Sequence, residues 1–222
     1  MTLRYPCLII DHDDTAVDST AKIHYPAHQE VMRILRPGAV PLTLTQWFLK
    51  NFHPGIMEYL EGELGLTSRE MEIEYDVWKT HTAKTDPDFY PGFIEALQAF
   101  KRRRGIIAVV SHSETHVIER HYSRSGAEEI PDVIFGWSYN KNLRKPSPHP
   151  VQEILKRSNL EPSDALILDD LKPGVEMGQN TGVAVCGAGW GHDIPEIAHY
   201  MKKNCVEYFS RVEDFASFLL KE

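Results

Sequence analysis

The stretch Cys7-Leu8-Ile9-Ile10-Asp11-His12-Asp13-Asp14-Thr15 decides how the rest of the chain is read. Four apolar residues in a row describe a strand buried on both faces. Three carboxylates and a histidine follow at once, where such a strand ends. Ligands of an open α/β sheet bind outside the carboxyl ends of its strands. Acids placed there are candidates for chemistry as well as for turns and helix caps.

Outward from this first run (6–10), short apolar runs recur at 106–110, 132–135, 165–168, 183–186 and 206–208. Helix-period stretches lie at 91–103, 114–124, 148–158, 172–180, 194–203 and 211–220. Strands alternating with helices imply βαβ units, hence an α/β fold with a doubly wound, mainly parallel, Rossmann-like sheet. Residues 18–88 break the rhythm. They carry helical patterns at 20–35, 43–50, 55–64 and 67–80, divided by the turn signals RPG (36–38), HPG (53–55) and TDPDFYPG (85–92). The expected organisation is an α/β core domain at 1–17 and 89–222, interrupted by a helical cap domain at 18–88. Hinges are expected near 16–20 and 85–91.

The chain has 24 Lys and Arg against 32 Asp and Glu, a formal net charge of −8. An acidic body disfavours nucleic acid and anionic membrane as partners. The basic run KRRR (101–104) reads as a helix end. Cys7, Cys186 and Cys205 are odd in number and lack metal-site spacing, so neither a disulfide framework nor a zinc site is expected. No apolar run approaches the roughly 20 residues that span a bilayer. MTLRYPCLII reads as a first strand and not as a signal peptide, and the cytoplasm is the expected location.

Two more runs end in polar groups, and a proline turn opens on a lysine. IIAVV (106–110) is followed by Ser111, ALIL (165–168) by Asp169-Asp170, and Lys145 opens a KPSP turn. Adjacent acids at two separate strand ends repel and raise one another's pKa. A hard cation removes that penalty, and Mg²⁺ asks for only one or two carboxylates plus phosphate and water. A Mg²⁺ site formed by Asp11, Asp13, Asp169 and Asp170 is therefore expected.

These segments resemble the haloacid dehalogenase-like superfamily of phosphatases and phosphomutases, in its branch with a helical cap between the first two motifs. CLIIDHDDTAVDST looks like the first motif, a hydrophobic strand followed by DxDx[TV]. IIAVVSHS looks like the second, KPSP the third and LILDD the fourth. YPGFIEALQAFKRRRG resembles the stretch that precedes the second motif. The likeness runs in order over essentially the whole chain. It implies that Asp11 is a covalent nucleophile and Asp13 an acid and base, with Ser111 and Lys145 gripping phosphoryl oxygens. It implies Mg²⁺ held by the Asp11 side chain, the Asp13 backbone carbonyl and an acid of the Asp169-Asp170 pair, with Asp169 preferred.

Several positions depart from the family pattern. Asp14 stands where glycine is usual, and His12 where relatives are often apolar. Pro173 occupies the place of a second acid, leaving Asp170 to substitute. Within the cap, His24, His53 and Gly55 are the candidate substrate-facing residues, and Trp47, Phe48, Tyr59, Tyr75 and Trp78 read as cap core. The implied activity is hydrolysis of a small phosphate monoester, a sugar or organic-acid phosphate, through an aspartyl phosphate. The alternatives are a phosphomutase of the β-phosphoglucomutase type and a non-catalytic phospho-accepting or binding protein. Dehalogenation is disfavoured by the acids at 169–170. The expected partner is a small phosphorylated metabolite, with the chain a monomer or homodimer.

Overall fold

The computed structural model of the chain describes residues 3–127, 129–138 and 140–221. It divides into two compact units, Met1–Val17 with Phe89–Glu222, and Asp18–Asp88.

β1 (Cys7–Ile10) opens the first unit, and none of its residues reaches solvent. The second unit is helical. A π-helical turn (Thr20–His24) runs into α1 (Tyr25–Leu35), which carries Pro26 in its first turn, where the missing N–H costs no bond. α2 (Leu44–Phe52) and α3 (Ser68–Lys84) each start on a capping box, Thr43 with Gln46 and Thr67 with Glu70. The segment read as a helix at 55–64 is a π-helix at Glu58–Glu63. Trp47, Tyr59, Leu60 and Leu66 form the buried core of this unit. Phe48 is also buried, while Tyr75 and Trp78 are half-buried and stack on each other.

The chain re-enters the first unit with α4 (Phe93–Arg102), β2 (Ile106–Val110), α5 (Thr115–Arg124) and β3 (Val133–Phe135). It continues with α6 (His149–Ser158), β4 (Ala165–Asp169), α7 (Lys172–Thr181), β5 (Ala184–Ala188), α8 (Pro195–Asn204), β6 (Glu207–Phe209) and α9 (Val212–Leu219). The strands form one sheet in the order β3-β2-β1-β4-β5-β6, every pair parallel. The doubly wound α/β class expected from the apolar runs is the observed one.

The register explains why the strands are so apolar. Leu8 lies beside Ile107 on one side and Leu166 on the other, and Ile10 beside Val109 and Leu168. Such central strands touch helices on both faces, so alternation gives way to continuous Val, Ile and Leu. The strand order reverses between β1 and β4, and a crevice opens beyond the carboxyl ends at such a switch point. Asp11 and Asp169-Asp170 stand at those two ends.

Candidate active site

The hydrogen-bond ladder of β1 runs one residue past Ile10. The Asp11 amide donates to Leu168 O (2.9 Å), carrying the ladder one residue further and holding Asp11 beside β4. The chain then folds back tightly: His12 O accepts from the amides of Ala16 (2.9 Å) and Val17 (3.1 Å), and the Asp14 amide donates to Val17 O (2.7 Å). Asp14 sits at φ 58°, in the left-handed region where glycine is at ease and Asp is tolerated better than most residues. Trp190 after β5 closes the turn by donating its indole N–H to Thr15 O (2.9 Å).

Lys145 is buried and gathers two acids. Its Nζ donates to Asp11 Oδ1 (2.5 Å) and Asp169 Oδ2 (2.9 Å). The other Asp169 oxygen accepts from the Leu171 amide (2.9 Å) as the chain turns into α7. Gly174, one turn into that helix, has no side chain because a Cβ there would run into the Asp169 carboxylate. Thr15 Oγ1 stands between Asp11 Oδ2 (3.3 Å) and Asp170 Oδ1 (3.2 Å), with one proton to give. Asp170 Oδ2 has no hydrogen-bond partner among the described residues, although it is buried. His192 Nε2 lies 3.6 Å from it.

The electrostatics follow from this crowding. Burial pushes the Asp11 carboxyl above the carboxylate range; Lys145 opposes the rise, while Asp169 and Asp13 add to it. Burial likewise raises Asp170 well above its ordinary value, and Asp11, Asp169 and Asp14 push the same way. Burial alone would lower the Lys145 ammonium, but the charges of Asp11 and Asp169 outweigh it and raise its pKa. One ammonium thus faces three buried carboxylates.

Asp13 points elsewhere. Its Oδ2 accepts from Ser111 Oγ (3.1 Å) and Ser113 Oγ (2.7 Å), and Ser111 Oγ accepts from the Ser113 amide (3.0 Å). The structure therefore brings Asp11, Asp13, Ser111, Lys145, Asp169 and Asp170 to one end of the sheet. His24, His53 and Gly55 belong to the helical unit. His24 Nδ1 accepts from Trp78 Nε1 (3.0 Å), His53 is exposed, and Gly55 has φ 117°. Ser113, His112 and His192 were not among the candidates; each stands against a residue remote in the chain, Asp13, Lys145 and Asp170 respectively, a pairing that spacing along the sequence does not display.

Ligand atoms of Asp11, Asp169 and Asp170 lie within 4.8 Å of one another. Three buried carboxylates, one of which has an oxygen without a hydrogen-bond partner among the described residues, suit a hard divalent cation. The Asp13 carboxylate is outside this group, and its Oδ2 accepts from two serine hydroxyls.

A parallel α/β sheet with buried acids and a lysine gathered at its switch point suits a protein that handles phosphoryl groups. The family model described as haloacid dehalogenase-like hydrolase matches residues 8–188, and the chain belongs to this family. It is 26% identical over 188 residues to a phosphoglycolate phosphatase of Aquifex aeolicus, covering 83% of this chain and 85% of that one. It is 23% identical to the pyrophosphatase PpaX of Listeria innocua, covering 88% of each. Its fold is also similar to that of a haloacid dehalogenase-like family hydrolase from Streptococcus pneumoniae, with a TM-score of 0.76 and 17% identity over 97% of this chain and 99% of that one.

Proposed function

We propose that the chain is a Mg²⁺-dependent phosphatase that hydrolyses a small phosphate monoester through an aspartyl phosphate on Asp11. The observation that carries this reading is the division of labour among the acids. Asp11 is buried against Lys145 and Thr15, while Asp13 is turned away onto two serine hydroxyls.

In the first step an Asp11 oxygen forms a bond to phosphorus as the ester oxygen leaves, and a protonated Asp13 gives that oxygen its proton. In the second, water attacks phosphorus, Asp13 takes the water's proton, and Asp11 departs with inorganic phosphate released. Lys145 and Ser111 hold phosphoryl oxygens and, with Lys145 already on Asp11, keep nucleophile and phosphate aligned. Asp11, Asp170 and the Asp13 carbonyl are the groups that would hold the metal. When bound, Mg²⁺ neutralises charge on the carboxylates and on the transferred phosphoryl group. The preference for Asp169 as direct ligand moves to Asp170, because both Asp169 oxygens already have donors and one Asp170 oxygen has none.

The helical unit serves in this reading as a cap that shields the phosphoenzyme from stray water and selects the substrate through residues such as His24, His53 and Gly55. The names of the two relatives put phosphoglycolate and pyrophosphate first among the phosphorylated metabolites to offer it in the cytoplasm. Among the described residues no helix is long and apolar enough to cross a membrane.

The test is release of phosphate from a generic aryl phosphate. It should require Mg²⁺ and vanish in Asp11→Asn. Full activity in EDTA, or an active Asp11→Asn enzyme, overturns the mechanism. Asp13→Asn should still bind metal but not turn over; unchanged turnover removes its proton-transfer role.

A further inference from the structure

Lys145 reaches its two acids from an irregular segment. Among the described residues between β3 and α6 the one regular element is a 3-10 turn (Lys141–Leu143), and no sheet ladder there sets the position of the lysine backbone. A side chain from the loop after β2 bonds the lysine's own carbonyl. His112, the residue after Ser111, places its Nε2 2.9 Å from Lys145 O. A carbonyl only accepts, so Nε2 carries the proton and donates it.

The His112 ring is itself held. It meets Trp137 edge to face, with centroids 6.0 Å apart at 78°. Arg144 lies over the same Trp137 ring, with its guanidinium 4.0 Å from the ring centre and its Nη1 donating to Ser138 O (2.6 Å). The Trp137 amide donates to Ser113 O (2.9 Å), which ties the loop after β3 to the loop after β2. Burial, and after it the neighbouring Lys145 charge, lowers the His112 pKa to about 4, so the ring is neutral under ordinary conditions and keeps one tautomer.

We propose that His112 is a positioning residue for Lys145: its ring N–H fixes the loop carbonyl of the lysine to the end of β2 and thereby sets the ammonium against Asp11. The proposal rests on the phosphatase reading for its catalytic consequence. It makes the residue after the second-motif serine a link between the phosphate-gripping strand end and the phosphate-gripping lysine.

The experiment compares two variants that split the ring from its donor, with the aryl phosphate as substrate. His112→Phe keeps a flat ring against Trp137 and loses the N–H. His112→Gln loses the ring and keeps an amide N–H at the reach of Nε2. Leaving a buried carbonyl unpaired should lower kcat about tenfold in the Phe enzyme, with KM changed less than about twofold. The Gln enzyme should recover most of that loss, although its melting temperature falls at least as far as that of the Phe enzyme. A Phe enzyme with wild-type kcat, or a Gln enzyme as impaired as the Phe one, overturns the proposal. The tautomer of His112 in the wild type, read by long-range proton–nitrogen NMR correlation, is a second measurement independent of turnover. Protonated Nε2 with bare Nδ1 supports the bond, and bare Nε2 overturns it. A wild type that releases no phosphate while showing the expected tautomer counts against the phosphatase reading and not against the hydrogen bond.

Discussion

Asp170 is the residue on which the metal reading is most exposed. Its carboxylate is buried among Asp11, Asp169 and Asp14, and one oxygen has no donor among the described residues. Without a cation this is an unfavourable place for a charge. Asp170→Asn should therefore leave the metal-free protein as stable as the wild type or more so, by about 1 kcal/mol. The same variant should lose the rise in melting temperature that Mg²⁺ gives the wild type, because a ligand that binds only the folded state stabilises it by mass action. Melting both proteins in EDTA and in excess Mg²⁺ reads the two effects. A Mg²⁺ response undiminished in Asp170→Asn would place the metal elsewhere. Asp11, Ser111, Lys145 and the 169–170 pair were legible because each follows an apolar run or opens a proline turn. The choice between Asp169 and Asp170 was not. It depends on which carboxylate Lys145 reaches from 24 residues away, and a sequence does not display that distance.

At the scale of elements, most helices and strands follow from periodicity and caps. The exceptions have physical reasons: the π-helical stretches Thr20–His24 and Glu58–Glu63 keep a helical pattern while adding a residue per turn, so their hydrogen bonds could not be foreseen. Helix α1 also contains His28, which is 3% exposed, lies 4.2 Å from the Trp47 ring centre and has both ring nitrogens without a partner among the described residues. Burial lowers its pKa from 6.5 to about 4. The unfolded chain thus binds the proton more readily than the folded one, and stability falls as pH drops from 6.5 toward 4, by up to ~3 kcal/mol. Burial lowers His112 to about 4 as well, and shifts His192 in the same direction. His28→Phe should flatten this acid slope in urea unfolding followed by a probe of the helical unit, such as Trp47 fluorescence. An unchanged slope would show that His28 is hydrated and titrates normally.

For the whole molecule, the sheet order β3-β2-β1-β4-β5-β6 is what makes one site out of segments at 11–15, 111–113, 145 and 169–170. Parallel strands all end on the same side, and the switch between β1 and β4 sets the first acid group beside the last. The order of motifs along the chain was visible beforehand because three of them close an apolar run and the other opens a proline turn at Lys145. The links among them were not, since Thr15 to Asp170, Trp190 to Thr15 and His112 to Lys145 join residues far apart in sequence. The central claim is that a phosphoryl group passes through Asp11. The direct measurement is acid quenching of the enzyme during turnover of an aryl phosphate with Mg²⁺, followed by peptide mass spectrometry. The account predicts a phosphoryl group on the peptide containing Asp11, absent from Asp11→Asn and accumulating in Asp13→Asn, because an aryl oxide departs without an acid while the second step lacks its base. Steady hydrolysis with no phosphoryl group on Asp11 at any time, or with the group on another residue, would contradict it.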